Sequence, residues 1–117
     1  SYLVVCGGHS REGALLSCET LPLDGGPQEL SVPDLPEPRM GCSAAVILAA
    51  APHLGVCSPC EWLAVLGGSS DESSAASAVV LALQLSRTDA GWRRDALPPM
   101  GKGRCFAAAV VSQGYPS

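Results

Sequence analysis

Apolar residues run along the whole chain in short blocks, each closed by glycine, proline or a polar cluster. Leu3-Val4-Val5-Cys6 and Leu63-Ala64-Val65-Leu66 are unbroken and stop at glycine, the pattern of a strand covered on both faces. They are too short for helices and lack capping residues. Turn signals separate the blocks at Asp24-Gly25-Gly26-Pro27, Pro33 to Pro38, Pro52 to Pro59, Asp89-Ala90-Gly91 and Pro98-Pro99. The pattern predicts strands over Tyr2–Cys6, Ala14–Leu21, Glu29–Val32, Cys42–Ala49, Trp62–Leu66, Ser77–Leu85, Trp92–Arg94 and Cys105–Ser112, and no helix. Ser73 to Leu85 is rich enough in alanine and leucine for a helix. Its Val79-Val80-Leu81-Ala82-Leu83 core favours a strand, because packing outweighs alanine propensity.

These blocks are written twice. Tyr2-Leu3-Val4-Val5-Cys6-Gly7-Gly8 returns sixty residues later as Trp62-Leu63-Ala64-Val65-Leu66-Gly67-Gly68. Each copy leads through a polar stretch and an apolar run to a proline-rich corner, an arginine and small apolar residues. The first corner reads Leu35-Pro36-Glu37-Pro38-Arg39-Met40-Gly41-Cys42. The second reads Leu97-Pro98-Pro99-Met100-Gly101-Lys102-Gly103-Arg104-Cys105. Such periodicity names the unit that stacks.

The order strand, Gly-Gly, loop, strand, Trp, Leu-Pro-x-Met, Arg resembles the kelch repeat. Trp92 precedes Pro98 by six residues, as Leu30 precedes Pro36. The resemblance implies an all-β fold, a kelch-like β-propeller segment of about two four-stranded antiparallel blades with roughly eight strands. It divides the chain into a partial repeat over 1–38, a complete repeat over 39–100 with insertions at 49–61 and 71–77, and the first strand of a further repeat over 101–117. Departures from the family pattern are plain. Leu30 replaces the tryptophan, leucines such as Leu83 and Leu85 replace the tyrosine, and the unit is longer than the roughly 50 residues of a kelch repeat. Two blades fall short of the about four that close a propeller, so the chain reads as an excerpt of a larger one.

The residues of the motif are structural before they are anything else. Gly7-Gly8 and Gly67-Gly68 allow positive φ and close backbone approach. Neither sits in a G-x-x-x-x-G-K-[ST] or G-x-G-x-x-G frame that would cradle phosphate. Trp92 offers a large apolar surface with one N–H to satisfy, suited to packing between sheets. Arg39 and Arg104 stand at corners, where a planar fork of donors ties down carbonyls.

Composition excludes several functions. With 47% apolar and 15% charged residues, the chain is not disordered. A net charge of −4, with Arg87, Arg93 and Arg94 as the densest basic group, argues against nucleic acid. The longest apolar stretch, Ala44 to Ala51, is far below the roughly 20 residues of a membrane-spanning helix. Cys6, Cys18, Cys42 and Cys105 fall in or beside predicted strands, where free cysteine acts as a small hydrophobe and suggests a cytoplasmic or nuclear setting. Cys57-Ser58-Pro59-Cys60 admits three readings: an inert loop, a local disulfide, or a metal site with His53 as a third ligand. No helix follows it to lower a thiol pKa, and a fourth ligand is not evident.

No catalytic frame emerges. His9, Ser10 and Asp71 follow the glycine pairs, but no nucleophile elbow accompanies them. A copper centre, as in kelch-type oxidases similar to galactose oxidase, needs tyrosine and histidine ligands from several blades. The expected function is therefore non-catalytic protein–protein interaction without a cofactor or metal. The resemblance implies that its contact loops are His9, Ser10, Arg11, Glu12, Ser69, Ser70, Asp71 and Glu72, with Arg39 and Arg104 beside them. The resemblance further implies ubiquitin-ligase components as partners. The alternatives are an oxidase whose site lies in blades outside this chain, and a redox- or zinc-regulated binder using Cys57 and Cys60.

Overall fold

The computed structural model describes residues 1–27, 30–71, 73–109 and 112. Strands in small antiparallel sheets make the fold all-β, and the helical turns among the described residues are two short 3-10 turns, Pro52–Leu54 and Thr88–Ala90. Seven strands are present among these residues: β1 (Tyr2–Cys6), β2 (His9–Ser10), β3 (Gly13–Ala14), β4 (Cys18–Pro22), β5 (Ser43–Ala51), β6 (Val56–Leu66) and β7 (Val80–Gln84).

The first forty residues contain one long hairpin interrupted by glycine. β1 pairs with β4, from Tyr2 opposite Pro22 to Cys6 opposite Cys18. Gly7 and Gly8 then take positive φ, at 67° and 111°, and re-aim the chain into the short β2–β3 tip around Arg11 and Glu12. The single strand predicted over Ala14–Leu21 is thus two pieces, β3 and β4. Between them the Leu15 and Leu16 carbonyls accept from the Arg39 and Leu35 N–H groups, so these carbonyls serve the corner instead of a ladder.

The second sheet is a meander in the order β5-β6-β7. Arg93 joins its outer edge through a bridge to Ala82, with both backbone hydrogen bonds at 2.8 Å. The strand expected at Trp92–Arg94 is reduced to this single rung. Residues 49–61, read in the sequence as an insertion containing a loop, extend β5 and β6 into a hairpin closed by Pro52–Leu54. Gly55 ends that turn in the left-handed conformation, at φ 83°. Pro59 sits where the register shifts, between the Ala49–Cys60 and Ala51–Val56 pairs, so its missing N–H breaks no ladder bond.

The core follows the two-faced burial expected of unbroken apolar runs, but in one copy only. Trp62, Leu63, Ala64 and Val65 of β6, and Val80, Leu81, Ala82 and Leu83 of β7, are all buried. Ala51, Trp62, Ala82 and Ala96 pack on one side; Leu35, Val65 and Leu81 pack on the other. β1 departs from the expectation. Leu3 and Val5 are 50% and 45% exposed, because β1 pairs with β4 alone and nothing described covers its outer face. Leu30–Val32 and Cys105–Ala109 form no regular strand, while Glu29, Val110 and Val111 lie outside the described residues.

Candidate functional site

The two glycine pairs make the same backbone contacts sixty residues apart. The Gly8 N–H donates to the Arg39 carbonyl and the Gly68 N–H to the Arg104 carbonyl, each at 2.7 Å. The Gly8 carbonyl accepts from Leu15 at 2.9 Å, and the Gly68 carbonyl from Ser77 at 2.8 Å. A side chain at the first glycine of each pair would overlap the same arginine's carbonyl oxygen; a Cβ on Gly7 would stand 2.5 Å from that of Arg39. Each corner therefore lies against a glycine pair too closely for any other residue.

The two arginines differ in their side chains. Arg39 is 1% exposed. Its guanidinium donates to the Gly67 carbonyl at 2.6 Å and to Glu37 Oε1 at 2.9 Å. One arginine thus joins both units: its backbone holds the first glycine pair and its side chain holds the second. Burial removes Arg39 from any contact surface, correcting the expectation that placed it beside the loops. Arg104 keeps the backbone role, and its side chain is exposed.

Glu37 completes the corner. It also accepts from Arg94 at 2.8 Å. The Arg39 hydrogen bond, and then that of Arg94, hold its carboxyl below the usual carboxylate range. The sequence carried a signal for this residue, an acid two positions before a corner arginine. Trp92 packs against the Leu35, Val65 and Leu81 cluster, and its indole N–H donates to the Pro33 carbonyl at 2.9 Å. It therefore ties the β5–β7 sheet to the first corner.

Held in this way, the loops after the glycine pairs come together. His9, Gly13 and Ala14 from the first hairpin tip, Met40 from the corner, and Asp71 and Ser73 from the second loop line one cavity of about 410 Å³. Met40 and Ser69 join the two units by a two-way backbone bridge at 2.9 and 3.0 Å. The second loop is internally ordered: Asp71 Oδ1 accepts from the Ser73 N–H and hydroxyl, both at 2.9 Å, and from the Ser74 N–H at 2.7 Å. The Ser73 and Ser74 hydrogen bonds hold the Asp71 carboxyl below its usual range. The carboxylate thereby shapes its own loop.

Among the predicted contact residues, His9, Arg11, Glu12, Ser70 and Asp71 are exposed and Ser10 is half-buried. Ser69 is 7% exposed and belongs to the bridge. Glu72 lies outside the described residues. Met40, Gly13, Ala14 and Ser73 were not predicted; only the folded corner brings them beside His9 and Asp71.

Cys57 and Cys60 do not lie in a loop. They are three residues apart on β6, in the stretch where the register shifts between the Ala49–Cys60 and Ala51–Val56 pairs. Cys60 packs against the Trp62 cluster, while Cys57 is exposed. Among the described residues no group of three or more His, Cys, Asp or Glu side chains is placed to hold a metal ion.

No family model and no curated protein matches the chain.

Proposed function

We propose that the chain is a non-catalytic protein-binding module, built as a segment of a kelch-type propeller. The observation carrying this reading is the convergence of both glycine-pair loops on one cavity, although sixty residues separate them in sequence. The hydrogen bonds repeated at the two corners support a repeat architecture, and the β5-β6-β7 meander with Arg93 at its edge supports a blade. Rigid strands presenting exposed polar loops suit recognition. The acidic and basic side chains on the tips, Arg11, Glu12 and Asp71, suit a partner surface of mixed charge. The Ser73 hydroxyl and Asp71 serve the loop's own turn, which leaves them poorly placed for acyl or hydrolytic chemistry.

A photo-crosslinking amino acid at Ser10, at Ser70, or at the control position Leu48 on β5 tests the proposal. A shared protein partner captured from Ser10 and Ser70, absent from Leu48 and lost in an Arg11→Glu/Asp71→Arg double variant, supports it. Capture that is equal from all three positions, or no capture from either loop, refutes it.

A further inference from the structure

Cys6 and Cys18 form the last rung of the β1–β4 ladder. Its parity is fixed at both ends. The Gly7 N–H donates to Ser17 at 3.0 Å and the Leu23 N–H to Ser1 at 2.9 Å, so 7/17 and 1/23 are hydrogen-bonded rungs. Rungs alternate, which makes 6/18 a non-hydrogen-bonded one. Directly opposed Cα atoms at such a rung stand about 4.5 Å apart, with both side chains on one face. That separation lies within the roughly 4.4–6.8 Å that a disulfide spans. Both thiols are half-buried against Leu35, Val65 and Leu81.

No other cysteine is placed in this way. The Cys42 S–H donates to the Cys6 carbonyl at 3.5 Å, and burial raises its pKa. Cys57 and Cys60 both lie on the single strand β6, so they do not oppose each other across a ladder.

We propose that Cys6 and Cys18 are a reversible dithiol–disulfide couple, a modification site at the foot of the first hairpin. The proposal is independent of the protein-binding reading. Interaction with the Cys6 thiol lowers the Cys18 pKa, and the same interaction, with burial, raises that of Cys6. Cys18 is thus the attacking thiolate and Cys6 the resolving thiol.

The oxidant is a low-molecular-weight disulfide of the glutathione type. The Cys18 thiolate attacks one of its sulfurs, breaks the S–S bond and expels one thiolate, which takes up the proton lost from Cys18. The Cys6 sulfur then attacks Cys18 in the mixed disulfide. It expels the second small thiol, which carries away the Cys6 proton. Two protein thiols and one small disulfide become one protein disulfide and two small thiols. The product closes a ring over residues 7–17, which include Gly7-Gly8 and the β2–β3 tip.

The test equilibrates the native chain in reduced/oxidised glutathione buffers, blocks remaining thiols by alkylation and maps the linkage by peptide mass spectrometry. The same oxidation in denaturant reports the pairings of an unstructured chain. The expected result is a Cys6–Cys18 link that forms first and alone in the native chain, is reversed by dithiothreitol, and leaves four of the six cysteines alkylated. Cys57→Ser should retain the link, whereas Cys18→Ser should leave all five remaining thiols free at the same poise. Native pairings that match the denatured mixture, a dominant link through Cys42 or Cys105, or six free thiols at every ratio would overturn the proposal.

Discussion

Replacing Gly7 with alanine should destabilise the fold far more than the same change at Gly55, although both glycines are left-handed, with φ 67° and 83°. The backbone cost is common to the two, about 1–2 kcal/mol for an L-residue forced into that region. At Gly55 nothing lies within 4 Å of the added Cβ, so that cost is the whole effect. At Gly7 the Cβ would stand 2.5 Å from the Arg39 carbonyl oxygen, and contacts below 3.0 Å are essentially never tolerated. The corner must move by at least the difference, 0.5 Å. The same oxygen accepts the Gly8 N–H at 2.7 Å, so the shift weakens that bond as well. A compromised buried hydrogen bond adds about 1–3 kcal/mol, giving about 2–5 kcal/mol for Gly7→Ala. Urea unfolding followed by the fluorescence of Trp62 and Trp92 measures both variants. Equal losses, within about 0.5 kcal/mol, would mean that the corner does not press on the glycine pair and would refute the packing argument.

Two further predictions concern the same corner. Arg39→Met keeps the buried stem but deprives the Gly67 carbonyl and Glu37 of a charged donor. It should lower stability by about 2–3 kcal/mol, and a loss below the error of a urea midpoint would show that the guanidinium contributes nothing. Glu37 makes the fold sensitive to acid. Because its native pKa is depressed, its contribution is full above the ordinary value of 4.5 and is lost as pH falls through the lower native value. The stability gap between wild type and Glu37→Gln should therefore shrink as pH falls below that ordinary value. A gap that stays constant across acid unfolding curves would exclude the ion-paired corner.

Much of the architecture was legible in the chain. The bounds of β1 emerged intact, because a five-residue apolar block ended by two glycines leaves little freedom. The buried centres of β6 and β7 emerged from unbroken apolar runs. The glycine pairs and corner arginines declared themselves by repetition, since close backbone contact admits one residue type at fixed positions. The start of β6, residues 56–61, was missed because Pro52, Gly55 and Pro59 signal turns locally. The ladder with β5 absorbs Pro59 at a register shift and extends the strand through it, which puts Cys57 and Cys60 on β6 instead of in a loop.

The all-β character and the repeated frame follow from local pattern, because strand period, glycine punctuation and proline corners are properties of neighbouring residues. The tertiary structure alone decided which residues meet. It buried Arg39, which a corner position left free to face outward, and gave its guanidinium to the other unit's Gly67. It brought His9 and Met40 to Asp71, and it set Cys6 against Cys18 on one rung. Each of these depends on ladder register and on contacts between residues far apart in the chain, and local pattern carries neither.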